Sequence, residues 1–159
     1  MTWQRFDPEA RTAPWVTFHT AEGGAVALTQ FRGQYQLVLF FAHGPQCAHC
    51  RALADRFAAL ADDLQTFDSR VLVVADAAPT ELPAAVGGPV RWLADPDGVA
   101  RARCAQLLGR AVAPGVVLLL VLDPFGSPYA AWAGAEADAP ELERQTLEWL
   151  AYIAIQCPE

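Results

Sequence analysis

The hydrophobic and polar positions fall into runs with distinct periods. Leu37 to Ala42 is a continuous apolar run, and so are Val71 to Ala75 and Val116 to Leu122. Runs of five to seven apolar residues bounded by turn residues predict strands buried on both faces of a sheet. Between the first two, Leu53, Phe57, Leu60 and Leu64 recur at helical spacing, which predicts one amphipathic helix from Ala48 to Leu64. Val90 to Leu93 predicts a short fourth strand. Asp95-Pro96-Asp97 then predicts a helix start, with an acid at the cap and proline at the first position, and Gly109 its end. The Ala/Pro/Gly-rich stretch Ala77 to Gly88 leaves room for a short helix at most.

Both ends are marked by turns. Val16 to Phe18, Glu22-Gly23-Gly24 and Ala25 to Leu28 predict an N-terminal hairpin, and residues 1–12, mostly polar, a loose segment. Asp123-Pro124-Phe125-Gly126 predicts a turn after the third buried run, with Tyr129 to Trp132 pairing back. Asp138 and Glu141 predict a capping box opening a last helix, whose apolar face carries Leu142, Trp149, Leu150 and Ile153. Buried strands alternating with helices, closed by an antiparallel pair, predict an α/β domain of three layers: a central mixed sheet flanked by helices.

Composition narrows the possibilities. At 159 residues one domain spanning 1–159 is expected, and 53% apolar against 18% charged residues excludes a mostly disordered chain. All 11 basic residues are Arg, 18 residues are acidic, and the net charge is −7. That balance argues against nucleic acid and against an anionic membrane surface as partners. Arg5, Asp7, Glu9 and Arg11 interrupt the first twenty residues, so neither signal peptide nor N-terminal anchor is expected, and the expected location is cytoplasmic.

Chemistry enters with four cysteines, Cys47, Cys50, Cys104 and Cys157. Cys47-Ala48-His49-Cys50 follows a buried strand and opens a helix, the setting of a thioredoxin-like redox site. A helix N-terminus stabilises an anion through its unpaired N–H groups and dipole, and the thiolate is the reactive form of cysteine. Cys47 is the expected nucleophile, Cys50, nearly one turn on, the resolving thiol, and His49 a residue that tunes their redox balance. Two alternatives compete: buried inert thiols at accidental spacing, or a metal site of Cys47 and Cys50 with His43 or His49. Zinc commonly takes four ligands, and there is no second Cys-x-x-Cys or His pair, so no metal and no cofactor is expected. Cys104 shares a helical face with Ala100, Leu107 and Leu108 and reads as a buried thiol; Cys157 reads as an incidental exposed one. His19 reads as a surface or pairing residue of the hairpin, and His43, in the loop before Cys47, stays open between a site role and simple solvation.

Phe41-Ala42-His43-Gly44-Pro45-Gln46-Cys47-Ala48-His49-Cys50-Arg51 resembles the Phe-Tyr-Arg-Gly-x-Trp-Cys-Pro-x-Cys-Arg segment of thioredoxin-like, peroxiredoxin-like proteins of the AhpC/TSA (redoxin) group. Gly33, Trp92 to Gly98 and Asp123 to Gly126 resemble further turns of that group. The resemblance implies a thioredoxin-like fold with the N-terminal hairpin as an extension. It also implies a cis Ala113–Pro114 bond, with Pro114 facing the active cysteines. The implied activity is that of an antioxidant thiol–disulfide oxidoreductase, acting on protein or small-molecule thiols and disulfides, with a thioredoxin- or glutathione-type reductant. Two other readings follow: an atypical two-cysteine thiol peroxidase acting on peroxides, or a non-catalytic redox sensor on the same scaffold. The sequence departs from the group's pattern at four places. Gly44 stands where peroxiredoxins carry the Thr that helps organise the peroxide, Gln46 where thioredoxins carry Trp, His43 where the group has Arg, and Ala48 where it has Pro. The His directly before Cys50 resembles the Cys-Pro-His-Cys site of exported oxidising oxidoreductases.

Overall fold

The computed structural model describes residues 3–7, 12–83, 88–113 and 115–156. Three of the strands match the expected buried runs, β4 (Gln36–Ala42), β5 (Ser69–Ala75) and β7 (Val117–Leu122), and β6 (Val90–Ala94) matches the expected short strand. Every residue of β4 and of β7 is buried. Alternation by two assigns their side chains to opposite faces. Val38 and Phe40 of β4 pack with Leu119 and Val121 of β7 on one face; Leu37, Leu39 and Phe41 pack with Leu118, Leu120 and Leu122 on the other.

Among the described residues the sheet has eight strands in the order β1-β8-β7-β4-β5-β6-β2-β3. Here β1 is Gln4–Arg5, β2 Thr17–His19, β3 Ala25–Ala27 and β8 Pro128–Gly134. β4, β5 and β6 run parallel, and the remaining pairings are antiparallel. The helices are α1 (Ala48–Ala59), α2 (Ala61–Thr66), α3 (Val99–Ala105) and α4 (Leu142–Gln156). Side chains of α1, α2 and α4 cover one face of the sheet, and those of α3 and the β2–β3 hairpin cover the other. This is the expected three-layer architecture with its N-terminal hairpin.

Four local expectations need correction. The segment expected to be loose includes β1, which pairs antiparallel with Ala130 and Ala131 of β8. The cause is distant in sequence: β8 offers an open edge, Gln4 donates to the Leu108 carbonyl at 2.9 Å, and the Trp3 ring meets Trp149 at 6.2 Å. The helix expected over Ala48 to Leu64 breaks at Leu60 (φ −98°, ψ 22°), whose N–H turns back to Phe57 O. The break keeps Leu53, Phe57 and Leu64 in the core, whereas Leu60 is only half-buried.

The third correction concerns α3, which starts three residues beyond the expected proline, because Asp95 to Gly98 closes as a turn with Gly98 left-handed at φ 71°. Asp95 still acts as a cap, its carboxylate accepting from the N–H groups of Ala100 (3.2 Å) and Arg101 (2.9 Å). In the fourth, Glu141 (φ 61°) precedes α4 rather than sitting in its first turn, and its carbonyl takes the first helical bond from Gln145. That geometry rules out the expected capping box.

Candidate active site around Cys47 and Cys50

β4 ends at Ala42, a loop spans residues 43–46, and α1 begins at Ala48, so Cys47 occupies the N-cap position of α1. Its Sγ accepts from the backbone N–H of Cys50 at 3.3 Å, as a capping oxygen would. The position is half-buried. Cys50 lies one turn into the helix and is fully buried, together with Leu53, Ala54 and Phe57, against the sheet. Both are free thiols.

The imidazole that meets Cys47 is that of His43, not His49. His43 Nδ1 lies 3.7 Å from Cys47 Sγ, and its Nε2 is 2.7 Å from the Gly115 carbonyl oxygen. A carbonyl can only accept, so Nε2 carries a proton and Nδ1 is the nitrogen facing the sulfur. The His43 backbone N–H also donates to Cys50 Sγ at 3.4 Å. His49, expected to tune the pair, is exposed on the outer side of the first turn. Helical spacing accounts for the correction: a residue two after the N-cap projects away from the sheet, whereas the loop folds His43 back over the cap. The sequence signal for His43 was its place four residues before Cys47, which leaves solvation equally open.

Electrostatics follow from this geometry. Burial alone would push the Cys47 thiol up. The hydrogen bonds from the Cys50 thiol and backbone N–H, with the hydrogen bond and charge of His43, outweigh it and hold Cys47 below the ordinary thiol range. Burial would pull His43 down, but its bonds to Cys47 and Gly115 and the charges of Cys47 and Glu136 hold it above the ordinary imidazole value. The two shifts favour one state, a thiolate beside an imidazolium. Cys50 is pushed up to about 12, chiefly by burial, then by its hydrogen bond and proximity to Cys47. The result is one poised thiol and one protected thiol.

The loop before β7 completes the site. Arg101 of α3 donates to the carbonyls of Ala113 and Val116, which flank Gly115. Through that loop Arg101 holds the acceptor that orients His43, a role with no signal in the sequence. Arg101 also lines a cavity of about 250 Å³ with Asp76, Asp95, Phe41, Val74 and Val112, at the ends of β4 and β5. Pro114 and Cys157 lie outside the described residues, and with them the expected cis Ala113–Pro114 bond and the expected exposed thiol. Cys104 is fully buried on the opposite face of the sheet, its thiol pushed up to about 12 by burial and then by the charge of Asp95. His19 is exposed in β2 and pairs in register with Ala25 and Ala94. His43, Cys47 and Cys50 bring their ligand-capable atoms within 4.8 Å of one another. No helix among the described residues is long and apolar enough to cross a membrane.

Exchanging His43 for Ala is expected to slow alkylation of Cys47 by iodoacetamide at pH 7 by about 3- to 10-fold, because a thiol without its partner is only a few per cent ionised there. His49→Ala is expected to leave that rate within a factor of about two, since an exposed side chain couples weakly. The opposite ranking would return the tuning role to His49.

No protein-family model and no curated protein sequence matches the chain. Solved structures do. Peroxiredoxin Q of Xanthomonas campestris superposes with a TM-score of 0.73 at 17% identity, over 87% of this chain and 91% of that one. Peroxidoxin BcpB of Mycobacterium tuberculosis gives 0.75 at 16% identity, over 90% and 96%. The reduced 2-Cys peroxiredoxin of Plasmodium vivax gives 0.72 at 16% identity, over 93% and 86%. The chain therefore has the thioredoxin-like fold of the peroxiredoxins, as the AhpC/TSA-like segment implied.

Proposed function

We propose that the protein is a thiol–disulfide oxidoreductase working through Cys47 and Cys50. One observation carries the reading: a half-buried Cys47 caps α1 against His43, with a fully buried Cys50 bonded to it one turn on. In the proposed cycle the Cys47 thiolate attacks one sulfur of a substrate disulfide. A Cys47–substrate mixed disulfide forms, and the second substrate sulfur leaves as a thiolate that takes up a proton. Cys50 then loses its proton and attacks Cys47 Sγ. The substrate's remaining sulfur leaves as thiol, and the protein keeps the Cys47–Cys50 disulfide. Two electrons pass from protein to substrate, and a thioredoxin- or glutathione-type thiol returns them. Burial protects Cys50 from reacting first, and the mixed disulfide removes the neighbouring charge that helps to hold its proton.

The fold neighbours support a second reading, a two-cysteine peroxidase. There the Cys47 thiolate takes the distal oxygen of a peroxide, giving a sulfenic acid and an alcohol or water, and Cys50 closes the disulfide with loss of water. Gly44, with no hydroxyl to hold the peroxide, weighs against a fast reaction.

Titration of the full chain in glutathione buffers, read by thiol-trapping mass, tests the dithiol. A reversible two-electron transition between about −270 and −120 mV is expected. Cys50→Ser is expected to accumulate the mixed disulfide with its substrate. No reversible transition would leave the redox reading without support. A peroxide rate no faster than free cysteine would remove the peroxidase.

A further inference from the structure

The same three side chains are arranged for a second kind of chemistry. Zinc binds thiolate at about 2.3 Å and imidazole nitrogen at about 2.0–2.1 Å in tetrahedral geometry. Two such ligands on one ion therefore sit about 3.6 Å apart. The separation of Cys47 Sγ and His43 Nδ1 is 3.7 Å, and Cys50 Sγ joins them with all three atoms within 4.8 Å.

Each ligand atom also has the outer partner a metal site needs. A metal-bound histidine characteristically donates its other N–H to a carbonyl or carboxylate, fixing its tautomer and ring plane. His43 does so through Nε2 to Gly115 at 2.7 Å, and that leaves Nδ1 toward the sulfurs. Cys47 Sγ accepts the Cys50 N–H at 3.3 Å and Cys50 Sγ the His43 N–H at 3.4 Å, so backbone donors face both sulfurs. Arg101 braces the loop behind Gly115.

We propose that His43 Nδ1, Cys47 Sγ and Cys50 Sγ form a preorganised three-ligand site for Zn²⁺, with the fourth position open on the side where His43 and Cys47 reach solvent. This departs from the sequence expectation of no metal, which rested on the lack of a second Cys-x-x-Cys or His pair. Three protein ligands and an open position are a recognised zinc arrangement, and the loop supplies the third. Zinc does not change oxidation state here. It takes both cysteines as thiolates, so the ion and the Cys47–Cys50 disulfide exclude each other, and a bound ion masks the thiols from exchange.

The test is equilibrium dialysis and native mass spectrometry of the reduced full chain with Zn²⁺ alone. One ion per chain is expected, none after oxidation to the disulfide, and binding by Cys104→Ser equal to the parent's. His43→Ala is expected to weaken binding at least about 10-fold, the lower bound for losing even an outer-shell partner. Co²⁺ in place of Zn²⁺ is expected to give sulfur-to-metal charge-transfer bands and tetrahedral d–d bands, a readout that needs no folded variant. Failure to retain one equivalent would overturn the site. So would unchanged binding in His43→Ala, or a cobalt spectrum without sulfur ligation. None of these measurements requires turnover. Zinc binding with no reversible glutathione transition would remove the oxidoreductase reading and leave the metal site standing, and the converse result would do the reverse.

Discussion

Cys47→Ser is expected to abolish reduction of insulin disulfides, with a loss of at least about a thousandfold, the scale seen when a covalent nucleophile is removed. Serine fits the N-cap position and its oxygen can accept the Cys50 N–H, so α1 is expected to keep its start. Its hydroxyl is not ionised near neutrality and cannot form a disulfide. The loss is therefore chemical, and the melting temperature should move by only a few degrees. The measurement is insulin turbidity with dithiothreitol as electron source, together with a melting curve. Full activity in the variant would end the assignment of Cys47 as nucleophile. Loss of activity with a collapsed melting curve would show the effect to be structural.

The second large effect is on stability. Phe57 is fully buried on the α1 face that also carries Cys50 and Leu53, with its ring 6.5 Å from that of Phe40 in β4. Phe57→Ala removes that packing and leaves a cavity between helix and sheet, at a cost of about 3–5 kcal/mol. For a chain of this size the melting temperature should fall by about 6–20 °C. The damage is local first, because α1 loses its largest anchor and opens more often. Cys50, sealed in the native state, should then be alkylated faster under native conditions, while Cys104, on the buried side of α3 at the other face, should not. Melting by circular dichroism and thiol mapping by mass check the two halves. An unchanged melting temperature would mean that α1 is held mainly by other contacts.

The two results separate the parts of the chain that local pattern governs from those it does not. Apolar runs such as Leu37 to Ala42 and Val116 to Leu122 can satisfy their backbone and bury their side chains in only a few ways, so the layers, the central buried strands and the closing hairpin were legible. Cys47 at a strand-to-helix junction was legible for the same reason, since the helix N-terminus is a local electrostatic feature. Element starts were less so. Asp95 caps α3 from a turn, Glu141 stands in a left-handed conformation before α4, and β1 pairs with an edge some 125 residues away in sequence.

What the sequence determined by itself was the α/β architecture and the cysteine pair, because hydrophobic period and helix polarity act over a few residues. Only the tertiary structure decided which histidine lies against the pair. His49 is nearer in sequence, but helical spacing turns it outward. His43 is carried back over Cys47 by its loop and held by the Gly115 carbonyl, which Arg101 positions from the far side of the sheet. Contacts of that kind join residues 72 and 58 positions from His43, and no local period encodes them.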